Sequence, residues 1–154
     1  MNIPDFLTTA AELELVASKL YGTLSNLSSD ADLAKQLRSL ANDETNHANI
    51  IRRGKRYHEE MPDVFSRILV EDDEVQKGIE EGNSFHALLV PGYSLLDVLK
   101  KMLEFERRFE KVHIAASVEI TDPSLKRLFM GLTKSDKSHI ATLSKLIESR
   151  GNIS

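Results

Sequence analysis

The chain has 154 residues, enough for one domain with a real core and too few for two substantial ones. With 20 Lys+Arg against 24 Asp+Glu, the formal charge of −4 argues against nucleic acid and anionic membrane as partners. No cysteine is present, which excludes disulfides, thiolate zinc sites, iron–sulfur clusters and cysteine nucleophiles together. Glycine, proline and aromatics are sparse, while Ala, Leu, Glu, Lys and Ser are common, so the composition leans helical. The opening MNIPDFLTTAAELEL carries early acids and no basic stretch, unlike a signal peptide, and no apolar run approaches the ~20 residues of a membrane span. The expectation is a single all-α domain over residues 1–154, cytoplasmic.

In chain order, a first helical segment follows Pro4. Its apolar residues Phe6, Ala10, Leu13, Ala17, Leu20, Leu24 and Leu27 fall at alternating steps of four and three, the stripe of a bundle-facing helix. A second segment keeps the rhythm through Leu33, Leu37, Leu40, Glu44, His47 and Ile51, with a carboxylate and an imidazole where leucine belongs. From Glu59 to Tyr93 the pattern is less regular. DVFSRILV and EDDEVQKGIEEG predict short helices, Gly82-Asn83 reads as a helix end, and NSFHALLVPG reads as a connection. Leu99, Met102, Phe105, Phe109, Val112 and Ala116 then mark a third long helix. Asp122-Pro123 supplies an N-cap and first-turn proline for a fourth, along Leu125, Phe129, Leu132, Asp136, His139, Leu143 and Leu146. The pattern predicts an antiparallel four-helix bundle, with a long crossover containing short helices between its second and third long helices.

The two halves repeat each other. A shift that lays Glu14 on Glu106 also lays Leu13 on Phe105, Leu20 on Val112, Asp30 on Asp122 and Leu37 on Phe129. It lays Glu44 on Asp136, His47 on His139 and Ile51 on Leu143, with no gap between Glu14 and Ile51. Two helical hairpins related by a pseudo-two-fold axis are expected.

The repeat carries chemistry. Glu44/His47 and Asp136/His139 are i, i+3 pairs, so each sends a carboxylate and an imidazole from one side of its helix. Glu14 and Glu106 stand one position beyond the core residues Leu13 and Phe105. Packed together, four carboxylates would repel one another and each would lose several kcal/mol of solvation. They would either take up protons or hold a pair of divalent cations. One Glu from each of two helices and Glu-x-x-His from the other two is the donor set of carboxylate-bridged bundles, and mixed N/O ligation without sulfur suits iron or manganese, with zinc also able to fit. The alternative is a buried polar network that sets helix register without metal.

With these residues in view, the sequence resembles the ferritin-like superfamily, and most closely its rubrerythrin-like, carboxylate-bridged di-iron branch. The resemblance runs from Asp5 to Tyr57 and from Ser94 to Ile147. ELELVASKLYGTL has the first-helix pattern, a Glu (Glu14) followed seven residues later by an aromatic (Tyr21). NDETNH carries Glu-x-x-His, EFERRFEKVH the third-helix Glu106, and KSDKSH the fourth-helix pair. The resemblance implies two iron ions bridged by Glu44 and Asp136, with Glu14 and Glu106 as terminal ligands and one histidine, His47 or His139, on each metal. Bacterioferritins share this scheme. Three features depart from the rubrerythrin pattern. Asp136 stands where Glu is usual; no cysteine is available for a rubredoxin iron; and Phe109 occupies the place of an extra Glu three residues after Glu106.

What the resemblance implies is a di-iron oxidoreductase reacting with dioxygen or peroxide, ferroxidase or peroxidase-like, fed by an external electron donor and assembled as a homo-oligomer, a dimer first. Iron storage in a ferritin-like oligomer is the second reading. A non-catalytic interaction bundle with a weakened metal site, which Asp136 keeps open, is the third. Tyr21 and His113 coincide in the repeat, two turns beyond Glu14 and Glu106, and are candidates to line the metal pocket and take part in catalysis; ordinary bundle residues are the alternative. His58 reads as a surface residue, His86 as structural, and Glu12, Glu104 and the run Glu71-Asp72-Asp73-Glu74 as solvated.

Overall fold

Residues 2–60, 72–89 and 94–151 are described by a computed structural model, and five helices account for nearly all of them. They are α1 (Ile3–Leu27), α2 (Ala31–Glu60), α3 (Asp72–Ala87), α4 (Leu95–Glu119) and α5 (Pro123–Gly151). Side chains that accept the free amides of the first turn start the long helices. Asn2 accepts from Asp5 N at 2.9 Å for α1, and Ser94 from Asp97 N at 3.4 Å for α4. Asp30 accepts from Leu33 N at 3.1 Å, and its repeat counterpart Asp122 accepts from Leu125 N at 2.9 Å. The repeat therefore extends to the caps of α2 and α5.

Three-residue links (28–30 and 120–122) fold α1 back on α2 and α4 back on α5. These antiparallel hairpins pack together, with α2 meeting α5 and the apolar stripes turned inward. Phe6, Ala10, Leu13, Ala17, Leu20 and Leu24 of α1 are buried, as are all six predicted stripe residues of α4. Leu27, at the end of the α1 stripe, is 38% exposed. Phe6 of one hairpin packs on Phe129 of the other with ring centroids 5.5 Å apart. Each fully buried Leu or Phe contributes roughly 1.5–3 kcal/mol. No helix among the described residues is long and apolar enough to cross a membrane.

The crossover departs from the sequence expectation. α3 runs through Gly82 and Asn83 to Ala87, so the first half of NSFHALLVPG is helix rather than connection. Gly82 does not end the helix. It lies against Val16 of α1, where a Cβ would overlap the valine methyl, and Gly78 one turn earlier faces Leu13. The two glycines allow α3 to lie close on α1, an interhelical reason for glycine that a local reading takes for a terminus. DVFSRILV and Pro91-Gly92 lie outside the described residues. His58 is buried at 7% exposure rather than on the surface, and His86 bonds Thr23 Oγ1 through Nε2 at 2.8 Å.

Candidate metal centre

Halfway along the bundle the apolar stripes give way to polar side chains. Glu14, Glu44, Glu106 and Asp136 each have 0% exposure, and His47 and His139 have 7% and 3%. All six sequence-predicted ligands thus face the interior, one from α1, two from α2, one from α4 and two from α5. Tyr21 and His113 are buried beside them.

The donors gather into two groups. Glu14, Glu44 and His47 each offer one ligand atom, and these atoms lie within 4.8 Å of one another. Glu44, Glu106 and His139 do the same. Glu44 belongs to both. Both histidines turn Nδ1 inward: His47 Nδ1 is 3.2 Å from Glu44 Oε2 and 3.7 Å from Glu14 Oε2, and His139 Nδ1 is 2.9 Å from Glu44 Oε1 and 3.4 Å from Glu106 Oε1. The two imidazoles stack with centroids 5.7 Å apart.

Around this core stand residues that orient it. Tyr21 donates from its hydroxyl to Glu106 Oε1 at 2.6 Å. Its repeat counterpart His113 approaches Glu14, the counterpart of Glu106, with Nε2 2.9 Å from Oε1. The other nitrogen of His113, Nδ1, meets Asp136 Oδ2 at 2.5 Å. His139 Nε2 pairs with Asp43 Oδ2 at 3.1 Å, which sets the ring so that Nδ1 faces inward. Asp43 was not among the sequence candidates. It neighbours Glu44 but lies off the apolar stripe, and its contact is with a residue far along the chain, so only the charge beside a candidate ligand could have drawn attention to it.

Burial and crowding shift the titrations. Glu44 is pushed well above the ordinary carboxylate range by burial, then by the charges of Glu106 and Glu14. Burial also raises Glu14, yet the Glu44 carboxyl and the His113 charge beside it hold it well below the usual range. Asp136 is raised to about 6 by burial, against the pull of His113. Burial opposes the charged forms of His113 and His139, but neighbouring carboxylates win. Asp136 and Glu14 raise His113 to about 10, and Glu106 and Asp43 raise His139 to about 9. Tyr21 rises well above its usual value through burial and the charge of Glu106.

Protein groups alone leave the cluster incompletely satisfied. Glu14 Oε1 and Oε2, Glu44 Oε1, Glu106 Oε2, Asp136 Oδ1 and His139 Nδ1 are buried and have no hydrogen-bond partner of acceptable geometry. Glu14 Oε1 and His139 Nδ1 have close neighbours, but not along hydrogen-bond directions. Each such buried atom costs about 1–3 kcal/mol, more when charged. Donors around a cation at roughly 2.1 Å stand at most about 4.2 Å apart, so a small inward movement of either triad would close it on a metal. The oxygen and imidazole donors therefore fit the binding of a divalent cation.

No family model matches the chain, and no curated protein matches it significantly. A solved structure from Thermotoga maritima, provisionally described as a ferritin-like diiron-carboxylate protein, superposes with a TM-score of 0.75. The match covers 96% of this chain and 95% of that one at 18% sequence identity. At that identity the likeness establishes the fold: the chain has the ferritin-like fold. Its interior holds carboxylate and histidine groups able to bind metal.

Proposed function

We propose that this chain is a di-iron protein whose centre reacts with dioxygen or peroxide, as a ferroxidase or a peroxidase-like oxidoreductase. The observation that supports it most is the pair of donor triads sharing Glu44, with buried oxygens left unpartnered. Glu14 and His47 would hold one ion, Glu106 and His139 the other, and Glu44 both. Bound iron would supply the one-electron chemistry toward oxygen or peroxide. The protein's part is to hold and orient. Tyr21 keeps Glu106 turned toward His139, Asp43 fixes which imidazole nitrogen faces inward, and the apolar layers of Leu13, Phe105, Phe109 and Phe129 keep bulk water from the centre. A separate electron donor, a homodimeric assembly and a cytoplasmic setting complete the proposal. The Thermotoga protein's description as a diiron-carboxylate protein supports the di-iron reading.

The test is anaerobic loading with Fe(II), then addition of dioxygen or peroxide. The expected result is about two irons per chain by elemental analysis and a rise in near-ultraviolet absorbance on oxidation. Substoichiometric iron with unchanged absorbance would sink the proposal.

A further inference from the structure

The repeat makes Asp136 the counterpart of Glu44, and a symmetric centre would use both as bridges. The geometry differs. Asp136 is one methylene shorter, and its Oδ2 is taken by His113 Nδ1 at 2.5 Å. The same imidazole places Nε2 2.9 Å from Glu14 Oε1, so it lies between the two carboxylates. Phe129 stands beside the ring, with centroids 5.9 Å apart. At the equivalent place in the other hairpin is Tyr21, whose single hydroxyl reaches Glu106 alone. Among the described residues, neither donor triad includes Asp136. One free oxygen, Oδ1, remains on Asp136. Glu44 also meets an imidazole, but that one is His47, itself a donor of the same triad, whereas the imidazole on Asp136 is His113, which belongs to neither triad.

We infer that Asp136 is a positioning residue rather than a second bridge: it anchors the His113 imidazole against Glu14, and Glu44 is, among the described residues, the carboxylate that both donor groups share. His113 and Asp136 form a matched pair. The imidazole brings a second nitrogen where a phenol would bring one hydroxyl, and the shorter acid engages it. His113 is likewise a positioning residue, acting on the metal through Glu14.

This inference rests on the metal reading above, and Co(II) titration of the full chain separates the two. Wild-type protein should take up two Co(II) per chain with visible ligand-field bands. Asp136→Asn keeps the shape and an oxygen to accept from His113, so it should still bind two Co(II), with affinity within about threefold and bands unchanged. Glu44→Gln should lose both. His113→Gln should bind two but shift the bands of one equivalent, that of the Glu14 position, and leave the other unmoved. Far-ultraviolet circular dichroism and thermal melts of the metal-free variants check folding, and His113→Gln carries the test if Asp136→Asn does not fold. Wild-type protein that binds no Co(II) would overturn the metal reading and this inference together. Wild type with two Co(II) and Asp136→Asn with one or none would overturn this inference alone, as would His113→Gln with both sets of bands unchanged.

Discussion

The α1–α2 hairpin brings Glu14, Tyr21, Glu44 and His47 to the centre; the α4–α5 hairpin brings Glu106, His113, Asp136 and His139 to the matching positions. Caps, apolar stripes and the acid-x-x-His spacing are common to both. The differences lie among the buried polar groups. Tyr21 gives Glu106 a single neutral donor, whereas His113 sits between Glu14 and Asp136 and is held charged by them. Asp43 supports His139 from the other hairpin, and its repeat counterpart, Ser135, has no carboxylate to offer. A helical scaffold set by apolar spacing can therefore keep its symmetry while the groups inside it diverge, because polar contacts depend on reach and charge more than on spacing.

The strongest way to break the comparison is Glu44→Gln, since Glu44 belongs to both triads. The expected outcome is loss of both metals, read as iron or Co(II) per chain. The metal-free melting temperature should be unchanged or higher, because burial already favours the neutral form of Glu44. Asp43→Ala acts on one position only. It should weaken one of two binding steps by about 10–100-fold in a calorimetric titration, while Ser135→Ala leaves both steps alone. Tyr21→Phe removes the donor to a buried carboxylate and should cost about 1–3 kcal/mol of metal-free stability, measured by denaturant unfolding.

The smallest effect is on pH. His113 and His139 have folded values near 10 and 9, above the ordinary 6.5. A raised histidine contributes stability that is fully present below 6.5 and is lost as pH rises through the folded value. The metal-free melting temperature should therefore fall between about pH 7 and pH 10. Metal affinity should rise over the same range, because ligand protons compete with the cation. A metal-free melting temperature that climbs across this window would contradict the charged histidines.

Much of this was legible in sequence. The four-and-three steps of Phe6 through Leu24 identified a buried face, and Glu44, His47, Asp136 and His139 stood on the same stripes. The internal repeat singled out Tyr21 and His113 because they coincide under the shift that superposes Glu14 on Glu106. Gly82 was misread because its reason is Val16 on another helix, and a lone Gly-Asn pair looks the same at a helix end. Asp43 escaped because nothing local distinguishes it from a solvated acid, and His58 because a histidine between charged residues near a helix end looks exposed.

By itself, then, the sequence determined the helices, their inward faces and the carboxylates and histidines carried on them, since these follow from the fixed rotation per residue along a single chain. Only tertiary structure decided which oxygen meets which nitrogen. That choice depends on side-chain length and on packing between helices distant in the chain, where one methylene at Asp136 and one ring at His113 change the partners.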